Sequence, residues 1–384
     1  MKNCSILIFV MGLILACSSN NSQQTTEKPM ENSYLFMVGT YTETEEDGIH
    51  LVKFNPDSSI FESLGITPGV ENPSFVIANA DQDLVFAVEE TGGEQGGKVT
   101  SFRLNKSKNS LEKINSVNTQ GDSPCYLSLD PSEKFLVTAN YSGGNVTAIP
   151  VDAEGNLSQE IQVVNHDGSS IHPGRQKGPH AHSAVFHPKE KKVFVGDLGT
   201  DKIHVYTFDE EASQPLSPAN EITFAVKPGS GPRHLVFNEN GDRLYLIHEL
   251  TAEIGVYAYE NETLSHLETH SLLEEGFEGE VGAAEVRLPP DGNFLYASNR
   301  GEAHTLIAFG IDQETGLLSQ VQHQSSLGET PRNFAITADG KYLISGNQDS
   351  NNLVAFERDL DTGHLKPLNA TMDLKKPVYI NFLK

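Results

Sequence analysis

The stretch PRHLVFNENGDRLYLIH (232–248) decides the architecture of this chain. It reads as a proline, a short apolar strand, an Asn240-Gly241 turn, and a second apolar strand that ends on a polar residue. Asn-Gly is a favoured pair for a tight hairpin because it tolerates positive φ. A proline suits the first residue of a strand, where no ladder donor is required. Copies of the unit begin at Pro73, Pro124, Ala181, Pro232, Ala283, Pro331 and Pro377, 46 to 57 residues apart. Sixteen positions after the first six starts the second strand ends at Glu89, Asn140, Asp197, His248, Asn299 and Asn347. Most of the intervening turns carry hairpin chemistry as well, such as Asp291-Gly292 and Asp339-Gly340. No stretch from residue 34 onward sustains a helical period, and two further strands fit between successive units.

That spacing is the length of a four-stranded propeller blade. The seventh copy, PVYINF (377–382), is a first strand with nothing after it, and YLFMVGT (34–40) is a second strand with nothing before it. Paired, they complete one blade, put Thr40 in the sixteenth slot, and remove two open sheet edges. The expectation is an all-β fold: a seven-bladed β-propeller over 34–384, its ring closed by the C-terminal strand. A length of 384 residues would by itself suggest two or three domains, but self-similarity overrides that prior.

The first residues read differently. Lys2 precedes an apolar run, Ile6 to Leu15, that is short for a bilayer span. Ile14-Leu15-Ala16-Cys17 then gives way to a polar Ser/Asn/Thr stretch. Small and apolar residues directly before a cysteine resemble a bacterial lipobox. We therefore expect residues 1–16 to be a lipoprotein signal peptide, Cys17 to be lipidated, and 17–33 to form a flexible tether. This places the protein in the cell envelope, outside the cytoplasm, touching the membrane only through its anchor. With Cys17 acylated, Cys125 has no partner for an intramolecular disulfide.

Acidic residues outnumber basic ones by 52 to 27, a net charge of −25. Such a surface repels phosphate backbones, so no nucleic-acid partner is expected. An arginine cluster within it would be a local exception that needs a reason.

The repeat supplies one. One residue after the blade starts lie Ser74, Cys125, His182, Arg233, Ala284, Arg332 and Val378. Seventeen after them lie Glu90, Tyr141, Leu198, Glu249, Arg300 and Gln348, with Tyr41 from the split blade. Hairpin pairing brings both sets to one end of the central channel. Arg233, Arg300, Arg332, His182 and Glu249 are thereby gathered at one mouth. The longest departure from the repeat, NHDGSSIHPGRQKGPHAH (165–182), is polar and adds His172, Arg175, Gln176 and His180. His180 and His182 offer metal-ligand chemistry with His172, His187 or Asp197, but arginines repel a cation, and neither metal nor cofactor is expected.

These segments resemble the seven-bladed propeller lactonase family, whose members include 6-phosphogluconolactonase and the fungal carboxy-cis,cis-muconate lactonizing enzyme. The matching stretches are VGTYT (38–42), NPSF (72–75), ANYSGGNV (139–146), HPGRQKGPHAHS (172–183), GDLGTDKI (196–203), GPRHLVF (231–237), SNRG (298–301) and TPRNF (330–334). The resemblance implies a sugar-acid lactone hydrolase whose catalytic set is His182 (or His180), Arg233, Glu249 and Arg300. His180, Arg175, Arg332, Asn299 and Asn347 would bind an anionic lactone substrate, in a monomer. Either Glu249 or His182 would take the proton from water; the arginines stay protonated and would face developing negative charge. The other readings are a muconate-type cycloisomerase and a non-catalytic propeller that binds a sugar acid or a protein. A phosphorylated lactone would be cytosolic, at odds with the export signal, which points to an unphosphorylated or exogenous lactone.

Overall fold

The computed structural model describes Met1 and residues 32–383; the expected signal peptide, Cys17 and nearly all of the tether lie outside them. From Tyr34 on, the described chain is 28 strands and one short 3-10 turn, Gly93–Gln95. The strands form seven antiparallel four-stranded sheets, six of them from consecutive strands. The seventh joins Pro377–Leu383 to Tyr34–Thr40, Gly48–Asn55 and Ile60–Pro68. Its closing pair runs in register from Leu35 opposite Leu383 to Gly39 opposite Tyr379, and Thr40 then pairs Pro377. The ring is therefore closed by backbone hydrogen bonds, as expected from the two half-blades.

Each blade puts its first strand nearest the axis. These are Val76–Ala78, Pro124–Leu129, Ala181–Phe186, Pro232–Phe237, Ala283–Arg287, Pro331–Ile336 and the closing Pro377–Leu383. Successive first strands lie side by side, and the closing strand returns to Val76–Ala78. The Pro73 unit departs from the expected start, because its strand begins only at Val76. Asn72 has φ +47, and its carbonyl accepts from the Ser74 and Glu90 amides, so the chain turns there before it pairs.

Seven apolar clusters stabilise the ring, six built from two neighbouring blades and one that also takes Tyr379 from a third. Phe86 and Val88 pack toward Leu136 and Ile149 of the next blade, while Val85 and Ala87 pack toward Met37 and Leu51 of the previous one. The second strand of a blade is thus covered on both faces, and Leu84–Glu89 is buried throughout. This is why second strands read as continuous apolar runs. Period-2 alternation belongs instead to outer strands such as Thr263–Ser271, which are half in water.

A further regularity positions the site. In six blades the first and second strands lose register directly after the blade start. Pro124 pairs Asn140 but Tyr126 pairs Ala139, which leaves Cys125 as an extra residue; Pro331 and Asn333 leave out Arg332 in the same way. A bulge releases its extra residue from the ladder and re-aims the side chain. The position one after the blade start is that residue at Cys125, His182, Arg332 and Val378, and is one of two unpaired residues at Arg233 and Ala284.

Candidate active site

The bulges deliver what the register implies. Arg233 Nε donates to Glu249 Oε2 at 2.9 Å, and Arg300 Nη2 approaches the same oxygen at 3.0 Å. Arg175 Nη2 reaches in from the long loop to Glu249 Oε1 at 2.6 Å and to the Tyr141 hydroxyl at 3.0 Å. His182 Nε2 lies 3.9 Å from Glu249 Oε2, and its Nδ1 lies 3.6 Å from Cys125 Sγ. Across the mouth, Arg332 sits 5.4 Å over the Tyr41 ring and 4.0 Å from Glu90, whose carboxylate accepts the Tyr41 hydroxyl. Glu249 and Arg233 are buried, whereas the Arg175 side chain remains 43% exposed at the rim.

This packing sets the charge states. Burial alone would raise the Glu249 carboxyl, but the Arg300, Arg233 and Arg175 guanidiniums outweigh it and hold it at about 2. Glu249 is therefore a permanent carboxylate with little basicity. For His182, burial and then Arg233, His234 and Arg332 push the imidazolium well below the usual histidine range. At neutral pH that ring is uncharged and keeps a lone pair. Burial pushes the Arg233 guanidinium down, and the neighbouring Arg300 and Arg332 add to it, to about 9, so it stays charged at neutral pH.

The remaining expected residues divide. His180 stacks on Tyr141 with ring centroids 4.5 Å apart, and its Nδ1 is 2.9 Å from the Tyr141 carbonyl. That contact makes Nδ1 the donor. Asn299 and Asn347 are not brought to the mouth groups. Both are fully buried; Asn299 Oδ1 accepts the Gly282 amide, and Asn347 Nδ2 donates to the Ser326 carbonyl. They hold the connecting loops that enter their own blades. Gln176 is likewise buried, and the His172 ring caps its own turn by accepting from the Gly174 and Arg175 amides. Of the four residues the loop was expected to add, Arg175 joins the Glu249 cluster and His180 lies beside it.

One group escaped sequence reading. His234 Nδ1 lies 3.1 Å from Glu285 Oε1, and Glu285 Oε2 also takes Arg287 at 3.4 Å and the Asn333 amide. His234 meets His182 edge to face at 5.4 Å, so this second polar cluster adjoins the first. Phe75 stacks on Tyr379 at 3.7 Å and packs against Tyr126 at 4.4 Å, an aromatic group contributed by three blades. Its residues sit two positions after the blade starts, a slot one further along than the one that was read.

Metal-ligating types converge at His166, Asp197 and His204. Asp197 Oδ2 lies 2.7 Å from His166 Nδ1 and 3.8 Å from His204 Nε2, and the two rings stack at 3.8 Å. The 2.7 Å contact between Asp197 and His166 is a hydrogen bond, shorter than the spacing of two ligands around one ion.

Residues 35–382 match the family described as lactonase, 7-bladed β-propeller. The chain belongs to that family. Among its lactonase relatives, the 6-phosphogluconolactonase of Formosa agariphila is 34% identical, over 86% of this chain and 94% of its own. The 6-phosphogluconolactonase of Bacillus subtilis is 31% identical, over 91% and 98%. The solved periplasmic gluconolactonase of Pseudomonas aeruginosa superposes with a TM-score of 0.86 at 37% identity, covering 92% of this chain and 99% of that one. These matches span the whole ring, including every blade that contributes to the lactonase mouth.

Proposed function

We propose that the protein hydrolyses the lactone of a sugar acid, with an unphosphorylated aldonolactone met outside the cytoplasm as the substrate. The observation that carries this reading is the mouth itself: four arginines around one opening of a chain with a net charge of −25, three of them on one buried carboxylate. Arg332 is the guanidinium with the loosest partner and is suited to a substrate oxygen, while Arg175 guards the rim.

Neutral His182 takes the proton of a water whose oxygen attacks the lactone carbonyl carbon. Arg233 and Arg300 face the tetrahedral oxyanion that forms. As the ring carbon–oxygen bond breaks, the imidazolium returns its proton to the leaving alkoxide, and the product is an open hydroxy acid. Glu249, too weak a base for this step, keeps the guanidiniums in place and offsets the imidazolium charge. The periplasmic setting of the Pseudomonas aeruginosa relative supports the export reading.

Acid release from a panel of aldonolactones, measured above the spontaneous rate, tests the assignment. We expect turnover with an acid limb of kcat that falls below the usual histidine range, because protonation of His182 removes the base. The rate should stay level through neutral pH. Tight binding of an aldonate with no acceleration of hydrolysis would instead mark a non-catalytic propeller.

Lipidation of Cys17 remains part of this proposal. Among the described residues no helix is long and apolar enough to cross a membrane. Labelled palmitate is expected to enter the intact chain and to be lost in Cys17→Ser; incorporation that survives the substitution would reject the anchor.

A further inference from the structure

Asp197 ends Lys192–Asp197, the second strand of the blade that starts at Ala181, and residues 198–201 turn the chain into Lys202–Phe208. Its two carboxylate oxygens serve different partners. Oδ1 accepts the backbone amides of His180, Gly199 and Thr200 at 2.8, 2.9 and 3.1 Å. Oδ2 faces His166 Nδ1 at 2.7 Å. His166 is the first residue after strand Gln162–Asn165, and His180 is the last before strand Ala181–Phe186. One fully buried carboxylate therefore ties both ends of the excursion that carries Arg175 to Glu249.

The rest of the turn does the same. Leu198 accepts Gln176 Nε2 at 2.8 Å and donates its amide to the His180 carbonyl at 2.9 Å. Gly199 lies so close to the excursion that an added Cβ would sit 1.9 Å from the Gly178 carbonyl oxygen. Asp201 reaches the other way and accepts the amides of Gly229 and Gly231 at 2.6 and 2.7 Å. Gly231 stands two residues before Arg233.

We propose that the turn from Asp197 to Asp201 is the positioning element of the site. Through Asp197 it sets the loop that presents Arg175 and His180, and through Asp201 it sets the entry of the strand that presents Arg233. The sixteenth slots of the other blades hold Thr40, Glu89, Asn140, His248, Asn299 and Asn347. Only the blade that starts at Ala181 must fasten so long an excursion, and a carboxylate can accept on both oxygens where an amide accepts on one.

Asparagine in place of either aspartate keeps the shape and removes one accepting side. In the full-length protein, Asp197→Asn is expected to speed hydrogen exchange of residues 166–180 at least tenfold while the blades that start at Ala283 and Pro331 exchange as before. On an aldonolactone it should raise KM at least tenfold with kcat within threefold, because Arg175 binds at the rim. Asp201→Asn should leave that loop's exchange unchanged and lower kcat at least fivefold, because it acts through Arg233. Unchanged exchange and kinetics in both variants, or faster exchange throughout the ring in both, would overturn the proposal. So would the same kinetic change from both. The kinetic arm rests on the lactonase reading and the exchange arm does not. Absence of wild-type turnover would remove the function and leave the anchor to be decided by exchange alone.

Discussion

Arg233→Ala is expected to lower kcat on an aldonolactone by roughly 100- to 1,000-fold, the usual effect of losing one oxyanion donor. Arg233 is aimed from both ends. Its Nε donates to Glu249 and its Nη1 to the Ala284 carbonyl, so the guanidinium plane is fixed before substrate arrives. A donor that needs no reorganisation contributes most in the transition state, and the effect should therefore fall on kcat. Folding should survive, since Glu249 keeps Arg175 and Arg300, and removing one cation relieves its neighbours. Arg233→Lys is expected to rescue little, because an ammonium cannot make both bonds in one plane. Kinetics with thermal melts decide the matter. Full activity in Arg233→Ala would remove the oxyanion role from this residue.

Glu249→Gln should be the most destabilising change at the mouth. It leaves Arg175, Arg233 and Arg300 together with no neutralising charge, and breaking a buried ionic set in this way costs about 3–5 kcal/mol. The pH dependence gives a sharper test. The folded carboxyl is held at about 2 against an ordinary value of 4.5. A depressed carboxylate contributes its stability above the unfolded value and loses it as pH falls toward the folded one. The difference is worth about 3 kcal/mol, present at neutral pH and lost between about pH 4.5 and pH 2. Denaturant unfolding should show the wild type and the variant far apart at pH 7 and converging near pH 2. A gap that persists at low pH would mean that lost shape, and not lost charge, is responsible. Glu285, which is also held at about 2, by Arg287 and His234 against its own burial, remains in both proteins.

The ring was legible because its register is periodic. Turn pairs such as Asn240-Gly241 and the two half-blades at 34–40 and 377–382 are local signals, and they sufficed to place Arg233, Glu249 and Arg300 together. The bulges were not legible, since they depend on which partner residue is skipped and not on composition. The same limit explains Asn299 and Asn347. Their slot faces inward to the loop backbone, and periodicity locates a slot without saying what it points at. The choice between Glu249 and His182 as base also lay beyond sequence. It turns on three guanidiniums meeting one carboxylate from positions 175, 233 and 300, brought together only by tertiary contacts. Asp197 stands in a quoted motif, yet its partners are mostly backbone amides, which leave no trace in residue identity.

Closure by Pro377–Leu383 also imposes an order on synthesis. Translation makes the second strand of the closing blade first and its axial strand last, with six complete sheets in between. Until the ribosome has added Pro377–Leu383, the inner edge of Tyr34–Thr40 has no partner, and the sheets form an arc and not a ring. Domains otherwise tend to fold as they emerge. This one withholds its last interface until Pro377–Leu383 is made, so a chain without that strand cannot acquire the closed form.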